Sequence, residues 1–315
     1  METVLSATFL VGLIAATLRV ATPLLYATVG ELFTERAGIL NLGIEGIMFL
    51  GAFIGFAVAA QAAAAGVGAY LWVGLAAAMG AGLLMGLLMG LFSVTLGVNQ
   101  HVAGLGITLL SISLSLLGFR LVFGQQDVLP SIDPFNQLSP FANVPMLGPI
   151  FNQYLLTYIA FLVLVPLSWW LLFRTSFGLQ VRAVGENPEA VDAAGLSVYG
   201  IRYFVLGLGG MLMAVGGAFL SLAQLGAFTP GIIAGRGWVC IALVIFARWH
   251  PIRATWGALL FGGVYALQLR LQTLGFDLPF ELFLALPYLV TILALALAGR
   301  HVTYPGAYLK PYRRE

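Results

Sequence analysis

The sequence is poor in the residues on which enzymes and metal proteins depend. It has one cysteine, Cys240, so the chain can form neither an internal disulfide nor a metal site built from several cysteines. It also has one lysine, Lys310, which follows Ala-Tyr-Leu near the C-terminus. A Walker A loop needs its lysine directly after a glycine-rich turn. The chain therefore cannot bind ATP by that route.

Motifs for catalysis are missing as well. The three histidines lie far apart in sequence and form no HExxH pattern, and no G-x-S-x-G nucleophile elbow is present. The sequence therefore predicts no catalytic residue, no metal site and no cofactor bound by this chain. A net charge of +2 gives no reason to expect a nucleic-acid partner. An intramembrane enzyme remains an alternative without visible chemistry.

Apolar residues are abundant instead. They make up 61% of the chain, charged residues make up only 8%, and the mean hydropathy is +1.00. Soluble domains carry about a quarter charged residues, so the composition indicates an integral membrane protein surrounded by lipid. At about 20 residues for each span, the sequence predicts an all-α transmembrane bundle. It would form one domain over residues 1–315, with about eight to ten membrane segments.

The predicted segments are the apolar runs of the sequence, namely 5–30, 42–61, 68–92, 102–123, 153–173, 203–224, 254–271 and 282–298. Gly82, Gly86 and Gly90 form a double GxxxG pattern, which favours close helix packing. The apolar piece 238–247 is too short to cross a bilayer and predicts a half-helix or re-entrant element.

Two glycine-containing stretches predict broken helices, one from Gly38 to Gly46 and one from Pro230 to Gly237. Irregular backbone at membrane depth is tolerated only where protein or a watery cavity satisfies it. We therefore interpret these stretches as parts of the pathway wall or its hinges. The hinge candidates are Gly38, Gly43, Gly46, Pro230, Gly231, Gly235 and Gly237.

A few polar side chains within or beside the apolar runs are candidates for lining a pathway, namely Asn41, Glu45, Asn99, Gln100, His101 and Gln224. The alternative for each is a hydrogen bond between helices. Arg19 lies within the first segment, where it either has a role in transport or pairs with an acid such as Glu45 as an assembly contact. Since Glu45 is the one acid well inside a predicted helix, the sequence argues against a carrier driven by buried acid relays.

The stretch 174–202 is a polar interruption with three arginines, two glutamates and one aspartate. It contains a helix of about two turns with a candidate N-cap and a glycine stop, which is too short to be stable alone in water. The helix must therefore lie against its own protein or a partner. The candidate contact residues are Glu186, Asn187, Pro188, Glu189, Ala190, Asp192, Ala193, Ala194 and Gly195.

The distribution of basic residues predicts the orientation. With the 174–202 loop in the cytoplasm, ten of the arginines and lysines lie inside and three outside, as the positive-inside rule requires. The N-terminus is then outside, the C-terminus inside, and the loop 124–152 extracytoplasmic. Ala-Gly-x-Gly recurs at 103–106 and 234–237 on opposite sides of this topology, which suggests an inverted repeat.

Three stretches carry a family resemblance, and they are GELFTERAGILNLGIEGIMFLGAF (30–53), FGLQVRAVGENPEAVDAAGLSV (177–198) and FTPGIIAGRGWVCIALVIFARWHPIRATWGALLFGG (228–263). They resemble permease subunits of bacterial ABC importers for branched-chain amino acids, ribose-type sugars and nucleosides. The form ER-x-G-x-LN-x-G-x-EG is most similar to the nucleoside branch.

The resemblance implies a permease in the bacterial inner membrane that pairs with a second permease subunit. It also implies cytoplasmic ATPase subunits that use ATP and magnesium, and an extracytoplasmic substrate-binding lipoprotein. The loop around 186–195 would be the coupling helix that docks on the ATPase. A sugar or amino-acid permease is the alternative within the group, and an ATP-independent facilitator or channel is the alternative outside it.

Overall fold

A computed structural model of the chain describes residues 7–124, 130–141, 144, 147–272, 285–287, 289–293, 296 and 303–313. Across these residues the chain is mainly helical and has almost no strand. Their one sheet is a two-residue antiparallel pair, β1 (Gln137–Leu138) with β2 (Gln153–Tyr154). The prediction of an all-α bundle is confirmed. The predicted segment 282–298 lies largely outside the described residues.

The helices in chain order are α1 (Ala7–Arg36), α2 (Ile44–Ala64), α3 (Tyr70–Gly90), α4 (Gln100–Phe123), α5 (Leu147–Ile150), α6 (Leu155–Tyr158), α7 (Val165–Arg174), α8 (Ser176–Glu186), α9 (Pro188–Ala193), α10 (Val198–Phe219), α11 (Arg236–Ala247) and α12 (Pro251–Gln272). Wider π-helical turns extend α3 over Leu91–Thr95, join α6 to α7 over Ile159–Leu164, and extend α10 over Leu220–Leu225.

Within the described ranges, six stretches are long and apolar enough to cross a membrane, namely Ala7–Arg36, Ile44–Ala64, Tyr70–Thr95, Gln100–Phe123, Leu155–Arg174 and Val198–Leu225. At 12 residues, α11 is only about 18 Å long, so it is the short element that the sequence predicts. The 22 residues of α12 include Arg253 and Arg270 near its two ends.

Close backbone contacts surround α10 at the centre of the bundle. A Cβ atom added at Gly82 would overlap the carbonyl oxygen of Gly210, and one added at Gly86 would overlap that of Leu206. Gly90 lies against the ring of Tyr203. The predicted GxxxG face of α3 is therefore a real packing face. Small residues are needed here because lipid tails are as apolar as side chains, so helices associate through close contact.

The connection from α1 to α2 differs from the sequence interpretation. The first segment is predicted to end at residue 30, but α1 continues to Arg36 and buries Glu31 and Glu35 completely. The chain then turns back into the bundle over residues 37–43. The amide of Asn41 donates at 2.8 Å to Oε1 of Glu31, which lies fewer than two helical turns before the loop in sequence.

The start of α4 shows how far the loop penetrates. The amide of Leu40 donates to Gln100 Oε1 at 2.8 Å, at the first residue of α4. Gly46 packs against Thr108, eight residues further along that helix. Eight helical residues rise about 12 Å, so α2 begins inside the bundle. This is the broken helix that the sequence predicts, with the break confined to residues 37–43.

Gly86→Leu should destabilise the permease because a side chain there overlaps the backbone of α10. Overpacking of this kind costs about 1–3 kcal/mol, and thermal unfolding in detergent would measure it. Gly80→Leu is the matched control, since a Cβ at Gly80 on the same helix meets nothing within 4 Å. Equal melting temperatures for the two variants would contradict the packing of α3 on α10.

Candidate functional site

The first residues of α11 are capped by a carboxylate from α2. Glu45 Oε1 accepts the amide of Gly235 at 2.9 Å, and Oε2 accepts the amide of Gly237 at 2.7 Å. The first amides of a helix have no partner within it, and lipid cannot supply one. A carboxyl group also suits the positive end of the helix dipole. Glu45, on α2, therefore supplies the hydrogen-bond acceptors that the amides at the start of α11 lack.

The backbone geometry at this junction explains why residues 235 and 237 are both glycine. Gly235 has φ of +80°, a left-handed conformation that favours glycine. At Gly237, a Cβ atom would lie 2.5 Å from the Cα of Glu45. The hinge candidates Gly235 and Gly237 and the pathway candidate Glu45 are thus brought together in one contact.

Arg236 fastens the turn before α11. Its Nη1 donates to the carbonyls of Ile232 and Ile233 at 2.8 and 3.0 Å. Its Nη2 donates to the hydroxyl of Tyr265 on α12 at 3.2 Å, and its guanidinium lies 5.0 Å from the centre of that ring. The guanidinium of Arg236 therefore satisfies carbonyl groups in the irregular turn before α11 and links this turn to α12.

The opposite end of α11 is a tight turn over residues 248–250, which we call the α11 turn. Arg248 and Trp249 have φ of +51° and +54°. A left-handed conformation costs a non-glycine residue roughly 1–2 kcal/mol, so other contacts must hold the turn. Trp249 is 2% exposed and donates its indole N–H to Glu35 Oε2 at 2.7 Å. Its carbonyl accepts from Arg36 Nε at 3.2 Å.

The same turn contacts α7 through an aromatic stack. The ring of His250 lies 5.0 Å from that of Phe173 at an interplanar angle of 29°. The guanidinium of Arg182 on α8 lies 5.3 Å from the Phe173 ring. The α11 turn is therefore joined to the end of α1 and to the helix pair that leads to α9.

The C-terminal segment 303–313 closes this end of the bundle. The rings of Tyr304 and Tyr308 lie 5.2 and 6.4 Å from that of Trp249. The sequence predicts only a basic cytoplasmic tail, whereas these tyrosines help bury the α11 turn.

The same segment bridges α8 and the loop after α1. The amide of Ala307 donates to the Gly185 carbonyl at 2.8 Å, and that of Gly306 donates to Glu186 Oε2 at 3.1 Å. The amide of Leu309 donates to the Gly38 carbonyl at 3.1 Å. Gly38 has φ of +85°, so this hinge candidate takes a conformation that suits glycine.

The short helix α9 has the ends that its sequence predicts. Asn187 Oδ1 accepts the amide of Ala190 at 3.0 Å, Pro188 is the first helical residue, and Gly195 follows the helix with φ of +82°. Pro188 and Val191 are buried and hold the helix to the bundle. Ala190, Ala193 and Ala194 are exposed.

A largely apolar cleft of about 490 Å³ lies between α8 and α9. Its lining includes Leu179, which is 60% exposed, together with Ala190 and Ala194. The alanine face of α9 is therefore not covered by the residues that the structure describes.

The other pathway candidates fall into two groups. Asn41 is buried within the 37–43 loop, where its Oδ1 accepts the amide of Gly43 at 2.9 Å, and Gln100 is buried beside that loop. Asn99, His101 and Gln224 are exposed, and Asn99 caps α4 by accepting the amide of His101 at 2.9 Å. These hydrogen bonds match the structural alternative that the sequence left open, and the pathway role stays a prediction.

The remaining hinge candidates and Arg19 have different surroundings. Gly43 lies against Ile107, and Gly46 packs on α4 as described above. Pro230 and Gly231 are exposed in the turn before α11. Arg19 donates to Gln153 Oε1 at 3.3 Å and to the carbonyl of Asn152 at 3.1 Å. The expected pair of Arg19 with Glu45 is therefore wrong, because Glu45 binds the start of α11 instead.

Sequence reasoning missed Glu31, Glu35 and Trp249. The sequence did indicate that the two glutamates are helical. They lie four residues apart, so they would share one face of a helix that continued from the first segment. Their charge led to their assignment to a loop. Trp249 lies in a short polar stretch after α11, and its long-range contact with Glu35 has no local signature.

The family model described as "Branched-chain amino acid transport system / permease component" matches residues 13–295. The chain belongs to this permease family. It is 36% identical to a putative glucose ABC transporter permease protein of Haloferax volcanii, over 98% of this chain and 99% of the relative. A guanosine ABC transporter permease protein of Bacillus subtilis is 35% identical, over 95% and 96%.

A nucleoside ABC transporter permease protein of Lactococcus lactis is 35% identical, over 90% of this chain and 91% of the relative. No solved structure matches the chain significantly. The permease is thus a multi-pass membrane protein and a transport component of the ABC type. The family works in general with an ATPase and a substrate-binding component.

Glu45→Ala should loosen the start of α11. Removing an acceptor that serves one buried and one partly buried amide costs about 1–3 kcal/mol, which corresponds to about 5- to 150-fold faster hydrogen exchange over residues 235–240. Hydrogen-exchange mass spectrometry of the purified permease measures this. Gln224→Ala, at an exposed position, serves as the control. Unchanged exchange in Glu45→Ala would show that the cap is not needed.

The stability of the permease should fall on acidification because of His250. Burial lowers the pKa of His250 below its ordinary value of 6.5, and the nearby charges of Arg253 and Arg36 lower it further. The unfolded chain then binds a proton more readily than the folded one. The stabilising contribution is therefore complete above about pH 6.5 and is lost as the pH falls through the folded pKa.

Melting temperatures between about pH 7.5 and about pH 5 test this effect. The decrease should be smaller in His250→Phe, which keeps a ring to stack on Phe173. An identical decrease in both proteins would assign the acid sensitivity to other groups.

Proposed function

We propose that the permease forms the translocation pathway of an ATP-driven nucleoside importer and that α9 is its contact with a cytoplasmic ATPase. The observation that carries the second part is the geometry of α9. It is a short helix, capped at Asn187 and held to the bundle by Pro188 and Val191. It presents three exposed alanines beside an apolar cleft. A short helix with small exposed residues fits a groove on a partner.

Nucleosides are favoured as substrates because two relatives that align over nine-tenths or more of the chain are named for guanosine and for nucleosides. Glucose is the second candidate, since a relative of similar identity is named as a putative glucose permease. The motif resemblance in residues 30–53 supports the nucleoside branch.

The proposed assembly has two permease subunits, identical or different, in the bacterial inner membrane. Cytoplasmic ATPase subunits bind ATP and magnesium, and an extracytoplasmic lipoprotein delivers the solute. The N-terminus lies outside and the C-terminus inside, as the excess of arginines at the α9 end supports. The permease itself supplies no catalytic group for ATP hydrolysis.

The mechanism is alternating access. Closure of the ATPase pair on ATP moves α9. The two broken elements, which are the 37–43 loop and α11 with the turn before it, then open or close the pathway. Broken helices near the middle of the membrane suit this role because their backbone can change partners there. An independent facilitator would not need α9 to contact another protein, so it should purify without an ATPase.

Ala193→Arg should abolish substrate-stimulated ATP hydrolysis in the reconstituted complex because a long cation replaces a small side chain on the α9 face. We expect a decrease of about tenfold or more, with normal membrane insertion. Leu96→Arg is the control. It adds the same charge at an exposed position. Leu96 lies at the same end of the bundle as α9, because its neighbour Thr95 hydrogen-bonds Tyr203 near the start of α10. Normal coupling in Ala193→Arg would contradict docking through α9.

Substrate class is tested by uptake into vesicles that contain the permease, its ATPase and its binding protein. ATP-dependent accumulation of labelled guanosine is the expected result, and unlabelled nucleosides should compete with it. Accumulation of glucose without guanosine would favour the sugar alternative. Uptake without ATP would favour the facilitator.

A further inference from the structure

We infer that Trp249 is a positioning residue for transport, because its hydrogen bond to Glu35 links α11 to the end of α1 and so to α9. The inference rests on the proposed function, in which α9 receives movement from an ATPase. It adds the route by which that movement reaches the half-helix α11.

Two acidic side chains, one on either side of the 37–43 loop, hold the two ends of α11. Glu45, just after the 37–43 loop, binds the amides at the start of α11. Glu35, just before the same loop, binds the indole of Trp249 at its end. A helix fixed at both ends to one loop must move together with that loop. The two broken elements are therefore one mechanical unit.

This unit contacts α8 directly, immediately before α9. A Cβ atom at Gly185 would overlap the carbonyl oxygen of Arg36, so the backbones of α8 and α1 are in contact here. The segment 303–313 adds a bridge, because it binds Gly185, Glu186 and Gly38 through its own amides. A displacement of α9 therefore acts on the end of α1 without an intervening flexible segment.

Trp249 contributes both a buried ring and a hydrogen bond to the α11 turn. Burial of the ring alone would anchor the α11 turn, and phenylalanine could supply it. The indole N–H additionally fixes the turn to Glu35 in one direction and at one distance, 2.7 Å. Two consecutive residues in the left-handed conformation, Arg248 and Trp249, show that the turn is held against its local preference. Such positions are typical of elements that switch between two arrangements.

The test is Trp249→Phe in the assembled complex in vesicles, with ATP hydrolysis and solute uptake measured on the same sample. The probe is whichever of guanosine and glucose the wild-type complex accumulates. We expect hydrolysis to stay within about twofold of wild type while uptake per ATP falls by about tenfold. Trp170→Phe is the matched control, because Trp170 on α7 is 51% exposed and its substitution should change neither quantity.

Two substitutions of Glu35 examine the other side of the contact. Glu35→Met removes the acceptor at similar volume and should reproduce the loss of uptake per ATP. Glu35→Gln keeps a carbonyl oxygen as acceptor and should restore most of it. Trp249→Phe should add little to Glu35→Met, because both changes remove one shared contact. If Trp249→Phe reduces the folded yield, Glu35→Met answers the same question.

A proportional decrease of hydrolysis and uptake in Trp249→Phe and Glu35→Met would show a merely structural role and overturn the inference. Wild-type values in both variants would also overturn it. Failure of the proposed function looks different, because the wild-type complex would then show no ATP-dependent uptake of either probe. In that case the inference falls with the function on which it rests.

Discussion

Every backbone amide inside a membrane must find its partner within the protein, and this constraint explains the polar residues of the permease core. The chain breaks its helices twice at depth, at residues 37–43 and before α11. The amides exposed by these breaks bind buried side chains. Glu31 accepts the amide of Asn41, and Gln100 accepts the amide of Leu40. Glu45 accepts two amides at the start of α11. A bundle with so few charges uses several of them to support irregular backbone.

This use of the polar residues connects the two breaks to each other. Because Glu45 belongs to α2 and caps α11, neither broken element can rearrange without the other. The contact of Glu35 with Trp249 repeats the connection at the opposite end of α11. The C-terminal segment and Gly185 then join both elements to the base of α9. In the proposed importer, force applied at α9 would therefore reach the middle of the bundle through short-range contacts.

Local features of this structure could be predicted from the sequence. Helix lengths follow from apolar runs, the close-packing face of α3 follows from the GxxxG pattern, and the ends of α9 follow from Asn187 and Gly195. The partners across the bundle could not be predicted, because hydrogen bonds such as that of Glu45 to Gly237 depend on tertiary structure. Hydropathy also ended the first helix too early, since it assigned Glu31 and Glu35 to a loop. The sequence shows that a residue is charged, but it does not show whether the side chain will bind a buried backbone amide.

The most direct measurement is hydrogen exchange of the assembled complex with and without a non-hydrolysable ATP analogue. The account predicts that exchange changes together in residues 186–195, 37–43 and 235–250, because these segments form one mechanical unit. A change confined to residues 186–195, with the two broken elements unaffected, would contradict it.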